Sequence, residues 1–429
     1  MNDEMLLRRR ETVLGPCYFH FFERPLHLVR GEGVWLWDSS GRRYLDCYNN
    51  VPSVGHCHPT DVEALSNQAA TLNINTRYLH ENIIRLGERL VAKLPPALDT
   101  CMFVCTGSEA NDLAVQMARR FTGRQGCVVT EGAYHGNTHL VLQLSPGSYP
   151  QNDRPDWLGV IEAPDSYRGR FRGDNAGSQY AEEASRVIDT MIQKGHPPAA
   201  MLVDSIWDAP GPLRAPDHYL DTLCEKMKSV GGLVIADEVQ SGYCRLGDHW
   251  WGFEHYGVEP DFVTMGKPMG DGHPLAAVIT RRQIADVFAK ETGYFNTFGG
   301  NPVSTAAGNA GLDVIDGEGL LTTVGDSGRY LTEKLKALAE RHSCIGAVTG
   351  RGLFQGLDLV KDPETKAPFS SHALKRIATL IAEEGVLVGT SGLHGQTIKL
   401  RPPLPFKRQH ADIASDAVDR ALTRYSAER

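Results

Sequence analysis

Three groups of residues in this 429-residue chain have types and places that allow chemistry. The first is CTGSEAND at 105–112, where the apolar run CMFVC (101–105) turns sharply into a helical pattern. Small residues in that turn free the backbone N–H groups of Gly107, Ser108 and Glu109 at a helix N-terminus. Such donors, with aligned peptide dipoles behind them, make a phosphate site. It is not a nucleotide P-loop, because the Lys-Ser/Thr pair after the glycine is missing. Thr106 and Glu109 also have the spacing of a capping box, which needs no ligand, and on these residues alone both readings stand.

The second group is Asp237, which closes the apolar run LVIAD and is followed by Glu238. The carboxyl ends of strands are where open α/β sheets bind ligands, and a carboxylate there can hold a protonated ring nitrogen. An N-cap or a structural ion pair is the plainer alternative. The third is Lys267, inside GKPMGDG directly after DFVTM. An ammonium at a glycine-flanked, partly buried turn needs water or a partner, and once desolvated its amine becomes a usable nucleophile. A phosphate cradle, an acid and a lysine on successive strand ends are the parts of a pyridoxal phosphate pocket. That cofactor requires a phosphate anchor, a Schiff-base lysine and an acidic partner for its pyridinium nitrogen.

The elements that must position these groups follow from periodicity. Apolar runs at 101–105, 127–130, 159–163, 199–204, 231–237, 261–266 and 275–280 alternate with helical stretches, one with the stripe Leu113, Met117, Phe121. That pattern predicts an α/β fold with a mostly parallel sheet flanked by helices. GEGVWLWDSSGRRYLDC (31–47) predicts a β-meander turning at SSG, with one of Trp35 and Trp37 in the core and the other at a pocket or dimer contact. Beyond about residue 315 come a long helix near 326–341, GAVTGRGLFQGLDLV (346–360), a helix at 371–384, TIKLRPPL (397–404) and a last helix. This predicts a smaller α+β domain, and the glycines of GRGLFQG (350–356) read as a strand bulge. The expected division is an N-terminal segment (1–60) packing with the small domain, a large domain (61–315) and a small C-terminal domain (316–429).

Composition narrows the classes. Lys plus Arg number 44 against 52 Asp plus Glu, and a net charge of −8 argues against nucleic-acid and membrane-surface partners. The nine cysteines are scattered with no C-x-x-C pair, so neither a zinc ribbon nor a disulfide framework is expected. His56, Cys57 and His58 lack a second pair at zinc spacing, and no metal is expected. The start, MNDEMLLRRRETV, carries acids and no apolar h-region, so a cytoplasmic location is expected.

With these residues in view, the chain resembles the class-III aminotransferases, fold type I pyridoxal phosphate enzymes, over essentially its whole length. The matching pieces are GHCHP (55–59), CTGSEAND (105–112), AYHG (133–136), IADEVQSGYCRLG (235–247), MGKPMGDGHPLAAV (265–278), TFGGNPVS (297–304) and KLRPPL (399–404). The resemblance implies that Lys267 bonds the cofactor and Asp237 pairs with its ring nitrogen. Val239 and Tyr134 would cover the two ring faces, Gly107 and Ser108 would bind the phosphate, and Gln240 would approach the ring hydroxyl. Thr297 would reach the cofactor of a second copy, because the family builds its sites at a homodimer interface. One departure stands out: Asp204-Ser205 replaces the usual Glu-Pro.

YLDCYNNVPSVGHCHP (44–59) and LNINTRYLHENI (72–83) resemble a narrower branch, the ethanolamine-phosphate and phosphohydroxylysine phospho-lyases. That resemblance implies elimination of phosphate, with ammonia, from a small phosphorylated amine. Arg77, Asn50 and Arg401 are the implied substrate-binding residues, arginine being suited to bidentate anion recognition. An aminotransferase passing an amine to pyruvate or another keto acid is the alternative. A cofactor-binding protein with a regulatory role is the third, and the intact set Asp237, Lys267, Gly107 and Ser108 counts against it.

Overall fold

The computed structural model describes residues 3–428. Its centre is a seven-stranded sheet. Side by side lie Thr100–Val104, Ala276–Thr280, Phe262–Met265, Leu233–Asp237, Pro198–Asp204, Gly126–Thr130 and Leu158–Ile161. Ala276–Thr280 runs antiparallel to both of its neighbours, and the remaining pairs are parallel. The central strands Leu233–Asp237 and Phe262–Met265 are buried along their whole length, as expected where helices cover both faces. The strand and helix periods in the sequence therefore report this layer faithfully.

The helix Gly107–Thr122 lays Leu113, Ala114, Met117 and Ala118 on the sheet. Thr106 and Glu109 form the expected capping box at its start, and Gly123 ends it in the left-handed conformation at φ 69°. Two further sheets flank this unit. Leu28–Glu32, Trp35–Asp38 and Arg43–Asp46 form the meander, and Val386–Leu387 joins it in parallel through Val386 against Leu45. The other sheet contains Ile345–Arg351, Phe354–Asp362, Thr397–Leu400 and Gly389–Ser391.

Two expectations are corrected. Arg351 pairs with Phe354, so GRGLFQG is a hairpin whose two-residue turn, Gly352-Leu353, needs the positive φ of 57° at Gly352. A Cβ at Gly352 would also meet the Leu246 carbonyl carbon at 2.3 Å. In the meander's second strand Leu36 is the buried residue, and Trp35 and Trp37 on the other face are both half-buried, Trp35 packing against the main core. Trp35 lies edge-on to His410 and beneath Arg43, while Trp37 lies beneath Arg30. Guanidinium groups over both indole rings let that face remain partly wet.

Candidate active site

The carboxyl ends of five strands open into one cavity of about 370 Å³, large enough for a small-molecule ligand. Its lining includes Gly107 and Ser108, Tyr134 and His135, Asp204 and Asp208, Asp237 to Gln240 in part, and Lys267.

One wall is backbone in close approach. A Cβ at Gly107 would lie 2.8 Å from a Val239 methyl, one at Gly136 2.5 Å from Ser108 Oγ, and one at Gly266 3.2 Å from the Gly107 nitrogen. Three glycines thus let three turns converge where a side chain on any of them would fill the space. The capping box uses the N–H of Glu109 through Thr106 Oγ1, at 3.2 Å. The Glu109 carboxylate takes the N–H groups of Cys105 and Thr106, at 2.7 and 2.9 Å. The first-turn N–H groups of Gly107 and Ser108 are left over as donors. Cap and anion cradle are therefore compatible in one turn.

Asp237 and Glu238 divide sharply. Glu238 is fully buried and accepts from Ser205 Oγ, Ser241 Oγ and the N–H groups of Gly252 and Phe253 at 2.7–3.0 Å, so it locks loops together. Here the Ser205 departure has a use, since proline has no hydroxyl to donate. Asp237 faces the cavity. Its Oδ2 accepts from Asn111 Nδ2 at 2.9 Å and lies 2.7 Å from His135 Nδ1, while Oδ1 takes the Val239 N–H at 3.1 Å. Thr264 Oγ1 donates to Asn111 Oδ1 at 2.6 Å, fixing which way that amide points. Sequence reasoning does not single out Asn111, His135 or Thr264. The motifs CTGSEAND and AYHG contain the first two, and only their strand-end position gives them a role.

Lys267 opens a single 3-10 turn after the strand Phe262–Met265. Burial and the charge of Arg401 push its amine down to about 8, against the pull of Asp237 and Asp208. Asp204, half-buried and poorly solvated beside Asp208 and Asp237, is pushed well above the usual carboxylate range. Its two oxygens accept only the N–H groups of Ile206 and Asp208, at 3.0 and 2.7 Å.

None of the residues expected to bind substrate is among those lining the cavity: Asn50 and Arg401 contact Gln240, which does line it, and Arg77 is at the surface. Asn50 is buried and donates to Gln240 Oε1 at 2.8 Å. Arg401 is also buried, with Nη1 donating to the same oxygen at 2.5 Å and Nε to the Tyr48 carbonyl at 3.3 Å. Arg77 and Thr297 are exposed and outside this cavity, the Arg77 guanidinium lying 4.0 Å over the Phe295 ring. His56 pairs with Asp46 at 2.7 Å and His58 with Glu318 at 3.1 Å. Among the described residues, no group of three His, Cys, Asp or Glu side chains is placed to hold a metal.

The family model for class-III aminotransferases matches residues 21–422. The chain belongs to the class-III aminotransferases. Its cofactor is accordingly pyridoxal phosphate, and the cavity fits that group: glycine turns with spare N–H donors, a buried carboxylate and a desolvated amine.

Among its relatives, the chain is 39% identical over 435 residues to a Drosophila melanogaster protein described as alanine–glyoxylate aminotransferase 2-like, covering 99% of this chain and 88% of that one. It is 37% identical to a Caenorhabditis elegans protein described as an ethanolamine-phosphate phospho-lyase homolog, covering 98% and 94% of the two. Among solved structures, a phospholyase from Arthrobacter in complex with phosphoethanolamine matches with a TM-score of 0.93 and 38% identity. That match covers 97% of this chain and 99% of the other.

Proposed function

We propose that this class-III aminotransferase homologue is a phospho-lyase. It eliminates phosphate from O-phosphoethanolamine or a similar phosphorylated amine, with water giving aldehyde, ammonia and inorganic phosphate. The observation that carries this reading is the likeness, along nearly the whole chain, to a phospholyase solved with phosphoethanolamine. The site chemistry is consistent with it.

Bound pyridoxal phosphate supplies an electron sink for the carbon that bears the substrate amine. In this reading Gly107 and Ser108 hold the cofactor phosphate, Val239 and Tyr134 cover the ring, and Gln240 faces its hydroxyl. Asp237, held by Asn111 and His135, keeps the ring nitrogen protonated. Lys267, whose amine is brought down to about 8 by burial and Arg401, has a neutral fraction near neutral pH and takes the proton from the amine-bearing carbon. The electron pair left behind expels the phosphate from the neighbouring carbon.

Asn50 and Arg401 act on the substrate end through Gln240, whose amide oxygen both of them hold and which lines the cavity. Thr297 and Arg77 serve the cavity of a second copy, which makes the working unit a homodimer. What supports this is the exposed apolar surface around them, with Tyr78 62%, Leu79 96% and Phe298 69% exposed. The division into residues 1–60, 61–315 and 316–429 belongs to the same reading and is supported by the pairing of the meander with Val386–Leu387. So does a cytoplasmic location, supported by nine cysteines that are all free thiols. No described helix is long and apolar enough to cross a membrane.

The aminotransferase alternative is favoured by the name of the fly relative. Arg401 donates through Nη1 to Gln240 and through Nε to the Tyr48 carbonyl, and this arrangement serves either reading. The deciding assay is inorganic phosphate released from O-phosphoethanolamine by the cofactor-loaded protein without any keto acid. Release that disappears in Lys267→Ala is expected. Turnover that requires pyruvate and yields no phosphate would overturn the phospho-lyase reading.

A further inference from the structure

At the edge of the cavity lies a buried cluster of charge, two of whose members, Asp208 and Lys399, have no part in the proposed elimination. Asp208, four residues past the end of the strand Pro198–Asp204, has a side chain only 11% exposed, and its partners Lys399 and Arg401 are 9% and 5% exposed. Asp208 Oδ1 accepts from Lys399 Nζ at 2.8 Å. Its Oδ2 accepts from Gln240 Nε2 at 2.8 Å and stands 3.8 Å from Arg401 Nη1. The other end of the Gln240 amide is occupied as well, Oε1 receiving Asn50 and Arg401. The amide therefore has one orientation: its nitrogen toward the anion, its oxygen toward the donors.

Two cations without an anion cannot share such a place, because removing a charge from water is costly unless it is paired. Asp204 next to it is held toward its neutral form by burial, so the task falls to Asp208. Lys399 and Arg401 keep the Asp208 carboxyl below its usual range although burial opposes them.

We infer that Asp208 is a positioning residue, whose carboxylate fixes the orientation of Gln240 and balances the buried charges of Lys399 and Arg401 around Lys267. The inference rests on Lys267 being the amine that reacts. The charged and titratable groups around that amine are Asp237 after its strand, Asp204 and Asp208 after theirs, and Lys399 and Arg401 from the C-terminal sheet. His135 and His273 line the same cavity.

A scaffold role and an electrostatic role make different predictions. Removing the anion must lower the proton affinity of Lys267, and removing Lys399 must raise it. Removing both must bring it back.

The test compares wild type, Asp208→Asn, Lys399→Met and the double variant, all cofactor-free. The rate of Lys267 acylation by an amine-reactive reagent is followed against pH by mass spectrometry of its peptide. The midpoint is expected to move down by about one unit in Asp208→Asn and up by a similar amount in Lys399→Met, the scale set by a single nearby charge. The double variant is expected close to wild type, and more resistant to denaturant than either single change.

Shifts in the same direction, or none in folded variants, overturn the inference. If Asp208→Asn does not fold, the Lys399→Met shift and its reversal in the double variant decide. Because no substrate is present, a wild type that releases no phosphate removes the elimination reading and leaves this result intact.

Discussion

Asp237 and Glu238 are adjacent carboxylates with different work, and the difference lies in their donors. Glu238 is saturated by two hydroxyls and two N–H groups, whereas Asp237 keeps one edge toward the cavity while Asn111 and His135 steady the other. Asn111 is the residue on which this arrangement turns. Its amide nitrogen serves both Asp237 and the His135 carbonyl, and its oxygen takes Thr264. Replacing it with leucine leaves the Thr264 hydroxyl and the His135 carbonyl without that partner. A loss of about 1–3 kcal/mol in stability is expected for such orphaned groups, read by chemical denaturation. Phosphate release should fall as well, with cofactor still bound by absorbance, because Asp237 loses one of the three groups that aim it.

At the scale of elements, the turn after Lys267 is tied to the N-terminal segment. Asp271, itself at a positive φ of 44°, accepts the Val54 N–H at 2.8 Å. Burial lifts its carboxyl to about 8, and the neighbouring charge of Asp61 adds to this. Asp61, also buried, is lifted to about 6. The folded chain thus holds a proton on Asp271 that the unfolded chain has released above about pH 4. The unfolded state binds fewer protons in that window, so this group's contribution is complete at low pH and is lost as pH rises toward 8. Asp271→Asn keeps an acceptor for Val54 and removes the titration. Its melting temperature is expected to exceed that of wild type at mildly alkaline pH, with the gap closing in mild acid. A gap that widens in acid would contradict this account.

At the scale of the whole molecule, the proposed pairing of two copies places Leu79 and Phe298 at the interface, and their exposure is otherwise unexplained for large apolar side chains. Sedimentation should show two copies in wild type, and Leu79→Glu should yield single copies with little phosphate release, since each cavity would lose Thr297 of the other. Much of the molecule is legible in the order of its amino acids. Runs apolar on both faces mark the strands to within a residue or two, since a strand covered on both sides has no polar face to confuse the pattern. Gly107, Asp237 and Lys267 are readable because a glycine turn, an acid and a lysine at strand ends have few purely structural uses.

Their sequence positions do not tell which strand lies beside which, nor that Ala276–Thr280 runs against its neighbours. Likewise, Asp208, Lys399, Gln240 and Asn50 come from four distant parts of the chain, and no spacing predicts that they meet. Local pattern determines elements and the residues at their ends, because both depend on neighbours in the chain. Only packing decides which buried charges face one another, because desolvation and pairing are properties of the assembled interior.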